Sequence, residues 1–161
     1  MVTDICIKDV LLDSAKEVFE AMVFMPLEEA EGQTLDPTQF TLLGGITFTG
    51  DIEGGLNICC SITCSRVIAA NMLCADSPEA VSDEDVSDAI GEIANMVLGS
   101  VKTRLQDNLK NMQISIPTVV QGRELLSRRN DGMTRVTVAV KLAQEYIATF
   151  SVLYRETGGA R

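Results

Sequence analysis

Residues 88–99, 88-DAIGEIANMVLG-99, decide how the chain reads. With Val86 at zero and about 100° per residue, Val86, Ile90, Ile93, Val97 and Val101 fall within roughly 80° of one another. That arc is a core stripe. On the same count Asn95, Asp88, Gly99 and Glu92 lie at roughly 180°, 200°, 220° and 240°, on the opposite side and aligned along the axis. Asn and Gly inside a helix cost about 0.5 to 1 kcal/mol each relative to Ala, and a merely solvated face more usually holds Glu, Lys or Gln. Gly99 stands one turn beyond Asn95, where a missing side chain admits another backbone. Gly91 is read instead as a close-packing residue. The segment is therefore expected to be a long helix with a core side and a docking side, beginning near Ser82 behind acidic residues suited to a helix N-terminus and running to about Asn108.

Outward from this helix, residues 9–25 repeat the pattern. Leu11, Ala15, Val18, Phe19 and Met22 share one side with Asp13, Glu17 and Glu20 opposite, and Pro26 ends the helix. A polar loop, LEEAEGQTLDPTQF, follows. LGGITFTG and GGLNICCSI then read as a hairpin turning at DIEGG. CSRVIAANMLCA reads as a short helix with Ser65 as N-cap. In the last third the period changes to that of antiparallel strands in MQISIPTVVQG, MTRVTVAVKL and EYIATFSVLYRE, separated by SRRNDG and KLAQE. The expected fold is α+β, an antiparallel sheet with long helices packed on one face and a weak repeat of a helix-then-hairpin unit. With no linker to divide it, the chain is expected to be a single domain over 1–161, with a frayed tail at about 156–161.

Composition narrows the function. The 161 residues carry 23 acidic against 13 basic side chains, a formal charge of −10 that repels nucleic acid and anionic lipid. No apolar run approaches the roughly 18 residues needed to span a bilayer, and the N-terminus has no leader-like pattern, so a cytoplasmic protein with no membrane partner is expected. There is no histidine, which excludes Ser/His/Asp and Cys/His catalytic arrangements. The five cysteines, Cys6, Cys59, Cys60, Cys64 and Cys74, are odd in number and read as free thiols. CCSITC lacks the C-x-x-C spacing of a zinc site and no second ligand pair follows, so no metal site is expected.

DAIGEIANMVLGSVKTRL followed by ISIPTVVQG resembles the CheX branch of the CheC/CheX chemotaxis phosphatases, whose motif is Asp or Ser, three residues, Glu, two residues, Asn, and a Pro some twenty residues later. Asp88, Glu92, Asn95 and Pro117 fill those places, and VFEAM, the G-x-L strand and NMVLGSVKTRL extend the likeness over most of residues 9–155. Glu17 and Glu20 in the first helix have no Asn in register, which implies one active face per chain. Val101 before Lys102 departs from the G-x-A-K of relatives on the core side.

The resemblance implies hydrolysis of the phosphoaspartate of a CheY-type receiver domain. Asn95 would orient the attacking water and Glu92 would dock to the receiver's active-site lysine, these two being the catalytic residues. Asp88, Gly99 and Lys102 would be partner-binding, with a structural or capping role the alternative for Asp88. Pro117 would shape a strand end. This chain would bind no cofactor, Mg²⁺ belonging to the partner receiver, and would be a homodimer. Two other functions are weighed against this one: a non-catalytic module binding a receiver or a flagellar-switch partner, and thiol redox sensing through Cys59, Cys60 and Cys64.

Overall fold

Alternation along the strands sets the layers. Leu42, Ile46 and Phe48 of one strand and Leu56, Ile58 and Cys60 of the next are buried, while the residues between them are largely half-exposed or exposed. The computed structural model describes residues 4–106, 109, 111–123, 125 and 132–158, with side chains from residue 7. Its elements are α1 (Asp4–Val18), continued by a π turn (Phe19–Val23), then β1 (Leu27–Glu29), β2 (Thr41–Thr49), β3 (Ile52–Ser61), α2 (Ile62–Leu73), a short 3-10 turn (Pro78–Ala80) and α3 (Asp83–Leu105). The last third supplies β4 (Gln113–Ile114), β5 (Thr118–Gly122), β6 (Thr134–Leu142) and β7 (Tyr146–Glu156).

The strands form one sheet in the order β1-β6-β7-β3-β2-β4, with β5 also on the outer edge of β2. Every pairing is antiparallel. Hairpins β2–β3 and β6–β7 meet at the centre along β3 and β7, and each follows a long helix. This is the α+β arrangement read from the sequence, with its repeated helix-then-hairpin unit. α1 packs on β6, α2 on β3 and α3 on β2. At the centre Phe19 meets Phe150 edge to face with ring centroids 6.1 Å apart. α3 comes close to β2 at Gly44, where an added Cβ would stand 2.7 Å from Ile90 Cγ2.

Several local expectations change. α1 starts at Asp4, ahead of the expected residue 9, and Ile7 is buried with the core. Met22, expected in the core, is 43% exposed, and Val23 is fully buried in its place. The π turn is the reason: its wider loop holds one extra residue, so the inward face passes from Met22 to Val23. The polar loop contains β1, whose three residues pair with Leu142, Lys141 and Val140 of β6; a strand that short carries no readable alternation.

The hairpin turns at Gly50–Asp51, so only the first residue of DIEGG is in the turn, and Gly54 lies inside β3 because β7 passes so closely that a Cβ there would sit 1.8 Å from the Leu153 carbonyl oxygen. α2 is capped by Ser61, whose Oγ accepts from the Cys64 N–H at 3.1 Å. Ser65 is buried instead and donates to the Ile62 carbonyl at 2.6 Å. The single strand expected over MQISIPTVVQG is two, β4 and β5, broken around Pro117, where the Thr47 N–H is satisfied by the Ser115 hydroxyl at 3.0 Å.

α3 is capped by Ser82, accepting from the Asp85 N–H at 3.1 Å, and ends at Leu105, three residues before Asn108. Residue 108, SRRNDG through residue 131, the Cys6 side chain and tail residues 159–161 lie outside the described residues. β7 reaches Glu156, and Thr157 still donates its N–H to the Asp51 carbonyl at 3.1 Å.

Candidate docking face on the central helix

Val86, Ile90, Ile93, Val97 and Val101 are all buried against the sheet. The opposite arc is therefore presented outward, and Asp88, Glu92 and Asn95 are exposed along it. Among the described residues their side chains make no hydrogen bond or ion pair. A carboxylate and a carboxamide about one turn apart on a rigid helix, both with free valences, can be inserted together into a partner's surface. The carboxylate accepts only, whereas the carboxamide donates and accepts.

The flanks of this arc come from distant parts of the chain. On one side stands the corner between β4 and β5: a Cβ on Gly91 would lie 3.4 Å from Pro117 Cγ and 3.7 Å from Val119 Cγ2. Gly91 is thus a packing residue, and Pro117 is packed on α3 one residue from Glu92. On the other side lie the end of α1 and the π turn. There Glu17 accepts from Ser100 Oγ at 3.0 Å and forms an ion pair with Arg104 at 2.6 Å. These bonds, the one to Arg104 foremost, hold the Glu17 carboxyl below its ordinary range. Asp13, Glu17 and Glu20 repeat on α1 the spacing of Asp88, Glu92 and Asn95, but Glu17 is engaged and Glu20 stands where the amide would be.

Gly99 borders an open groove between α1 and α3, and nothing lies within 4 Å of where its Cβ would be. Lys102 follows on the same arc, yet its ammonium donates to the Met112 carbonyl at 2.9 Å, tying α3 to the segment entering β4. Met22, Met96, Ser100 and Thr103 also line the groove and were absent from the sequence-based site. Only the π turn brings Met22 there, and it has no signature in the residue pattern.

Two of the cysteines, Cys60 and Cys64, are part of the packing. Cys60 and Cys64 are fully buried, and the hydrogen bond to Cys64 together with burial pushes the Cys60 thiol well up. Burial also raises Cys59. A thiol held protonated is a poor nucleophile, which counts against a redox role for Cys59 and Cys60. Among the described residues no group of three or more acidic or Cys side chains is placed to hold a metal, and no helix is long and apolar enough to cross a membrane.

A two-layer α+β fold of this kind, with helices on one face of an antiparallel sheet, is that of the CheC/CheX-like proteins. The family model for chemotaxis phosphatase CheX matches residues 42–141. The chain is 31% identical over 113 residues to the CheY-P phosphatase CheX of Thermotoga maritima, covering 70% of this chain and 72% of that protein. It belongs to the CheX family. Its fold matches a CheC-like superfamily protein from Shewanella sp. PV-4 (26% identity, TM-score 0.74, covering 96% of this chain and 99% of that one). It also matches a chain of a CheX–CheY–BeF3–Mg²⁺ complex from Borrelia burgdorferi (17% identity, TM-score 0.68, 92% and 97%).

Proposed function

We propose that this chain stimulates hydrolysis of the phosphoaspartate on a CheY-type receiver domain. The observation that carries the reading is the exposed, unengaged Glu92–Asn95 pair on a buried-backed helix of a CheX-family chain. A relative carries the name CheY-P phosphatase, and another family member is crystallised with CheY, a phosphoryl mimic and Mg²⁺. An acyl phosphate is already activated, and the receiver holds the Mg²⁺, so the chain need supply only orientation. Asn95 Oδ1 accepts a hydrogen bond from water and its Nδ2 donates toward the phosphoryl oxygens, which holds that water in line. The water oxygen bonds to phosphorus, the bond from phosphorus to the Asp carboxylate oxygen breaks, and inorganic phosphate leaves. Glu92 pairs with the receiver's active-site lysine and fixes the register of Asn95. Orientation of this kind supplies about 10²-fold, or about 2.7 kcal/mol.

Asp88 and Gly99 belong to the same docking face. Lys102 contributes through the remaining two donors of an ammonium already held by Met112. A cytoplasmic location goes with this reading, because a CheY-type receiver is a cytoplasmic partner. The homodimer is part of this reading, supported by the sheet edges at β1 and β5, which have no further strand beside them among the described residues.

The test is phosphate release from a phosphorylated receiver. Asn95→Ala is expected to abolish stimulated release while binding persists, and Glu92→Ala to weaken both. Full activity in Asn95→Ala removes the mechanism. Receiver binding with no acceleration in the wild type makes the chain a non-catalytic docking module instead.

A further inference from the structure

The groove beside Asn95 has features that orienting a water does not need. It is about 650 Å³, open, and runs between the end of α1 and α3. Ala21 and Gly99 leave it room, Met22 and Met96 give it apolar side chains, and the paired Glu17 and Arg104 also line it. Gly99 has no neighbour of its own to accommodate. Met22 owes its exposure to the π turn, an uncommon insertion often found at functional sites, which ends at Phe24 in a left-handed conformation (φ 57°) that bulky residues rarely adopt. The chain thus departs from a regular helix in a way that puts a flexible apolar side chain on the surface when the period would bury it.

We propose that this groove is a second docking point for the receiver domain, Met22 and Met96 clasping an apolar side chain on the rim of the receiver's phosphorylation site. The inference rests on the receiver-binding reading above and adds to it the surface that sets affinity. The choice of occupant follows from continuity: Met96 adjoins Asn95 in sequence, and Gly99 lies about 6 Å further along the helix axis. A partner with its phosphoaspartate at Asn95 sits next to the Met96 side of the groove. The groove is apolar between its walls, so it complements the charged contact at Glu92 instead of duplicating it. Unbranched methionines suit receivers whose rim residues differ in shape.

Binding is measured by fluorescence anisotropy with a CheY-type receiver loaded with beryllofluoride and Mg²⁺, and turnover by phosphate release from the phosphorylated receiver. Met22→Glu is expected to raise both Kd and KM about tenfold, the loss for partial burial of one methionine, with kcat at saturation changed by less than about twofold. The comparison is Val120→Glu. Val120 is 45% exposed and lies on the other face of β5, since its neighbour Val119 meets α3 at Gly91. This variant is expected to leave Kd unshifted.

Unchanged Kd in Met22→Glu overturns the inference, as does an equal rise in both variants, or a loss of self-association with Kd intact. Wild-type binding without accelerated release ends the phosphatase reading alone, and the Kd comparison still decides the groove. Absence of wild-type binding overturns both.

Discussion

Gly99 and Asn95 are weak helix formers on α3 that the core does not require. Ala at position 99 meets nothing within 4 Å in the free chain and removes the backbone entropy penalty of glycine. Gly99→Ala is therefore expected to stabilise the fold by about 0.5 to 1 kcal/mol, a rise in Tm of roughly 1 to 4 °C by calorimetry. The same methyl stands in the groove, so receiver dephosphorylation is expected to fall in a protein that melts higher. A Gly99→Ala variant with higher Tm and full activity removes Gly99 from the docking face. The outward direction of Glu92, Asn95 and Gly99 was legible from the 3.6-residue period alone, because their angle to Val86 is a local property. The commitment of Lys102 was not: the carbonyl it meets belongs to Met112, which arrives there only after the chain turns back.

Between elements, α1 and α3 are joined by apolar packing and by the Glu17 clamp to Ser100 and Arg104. The clamp makes its own pH dependence. Glu17 in the folded chain titrates below its ordinary value of 4.5, so folding favours its ionised form. The stabilisation is whole above the ordinary carboxylate pKa and is lost as pH falls through the lower folded-state value. Glu17→Gln should thus melt below wild type near neutral pH, with the gap closing on acidification; a gap that persists at low pH argues against the clamp. The long helices were legible because each has a sustained apolar stripe. The π turn between Phe19 and Val23 was not, since its residues suit an ordinary helix and the extra residue is set by how Phe19 and Val23 both reach the core.

Across the whole molecule, β3 and β7 bring the two hairpins together, and Phe150 sits fully buried beneath Phe19 where the sheet meets α1. We expect one cooperative unit. Phe150→Ala should cost about 3 to 5 kcal/mol and lower a single transition monitored identically by far-UV circular dichroism and calorimetry. Two separated transitions speak for independent halves. Composition alone determined that any chemistry here does without histidine. Periodicity alone determined that a helix from near Ser82 to about Asn108 bears a core side and a presented side, and that the last third is antiparallel strand. Both are statements about neighbours along the chain. What borders the presented side was decided only by tertiary structure: Pro117 against Gly91, Met22 turned out by the π turn, and Glu17 held by Ser100 from 83 residues away. Contacts at that separation depend on strand order and helix packing, which a local period does not encode.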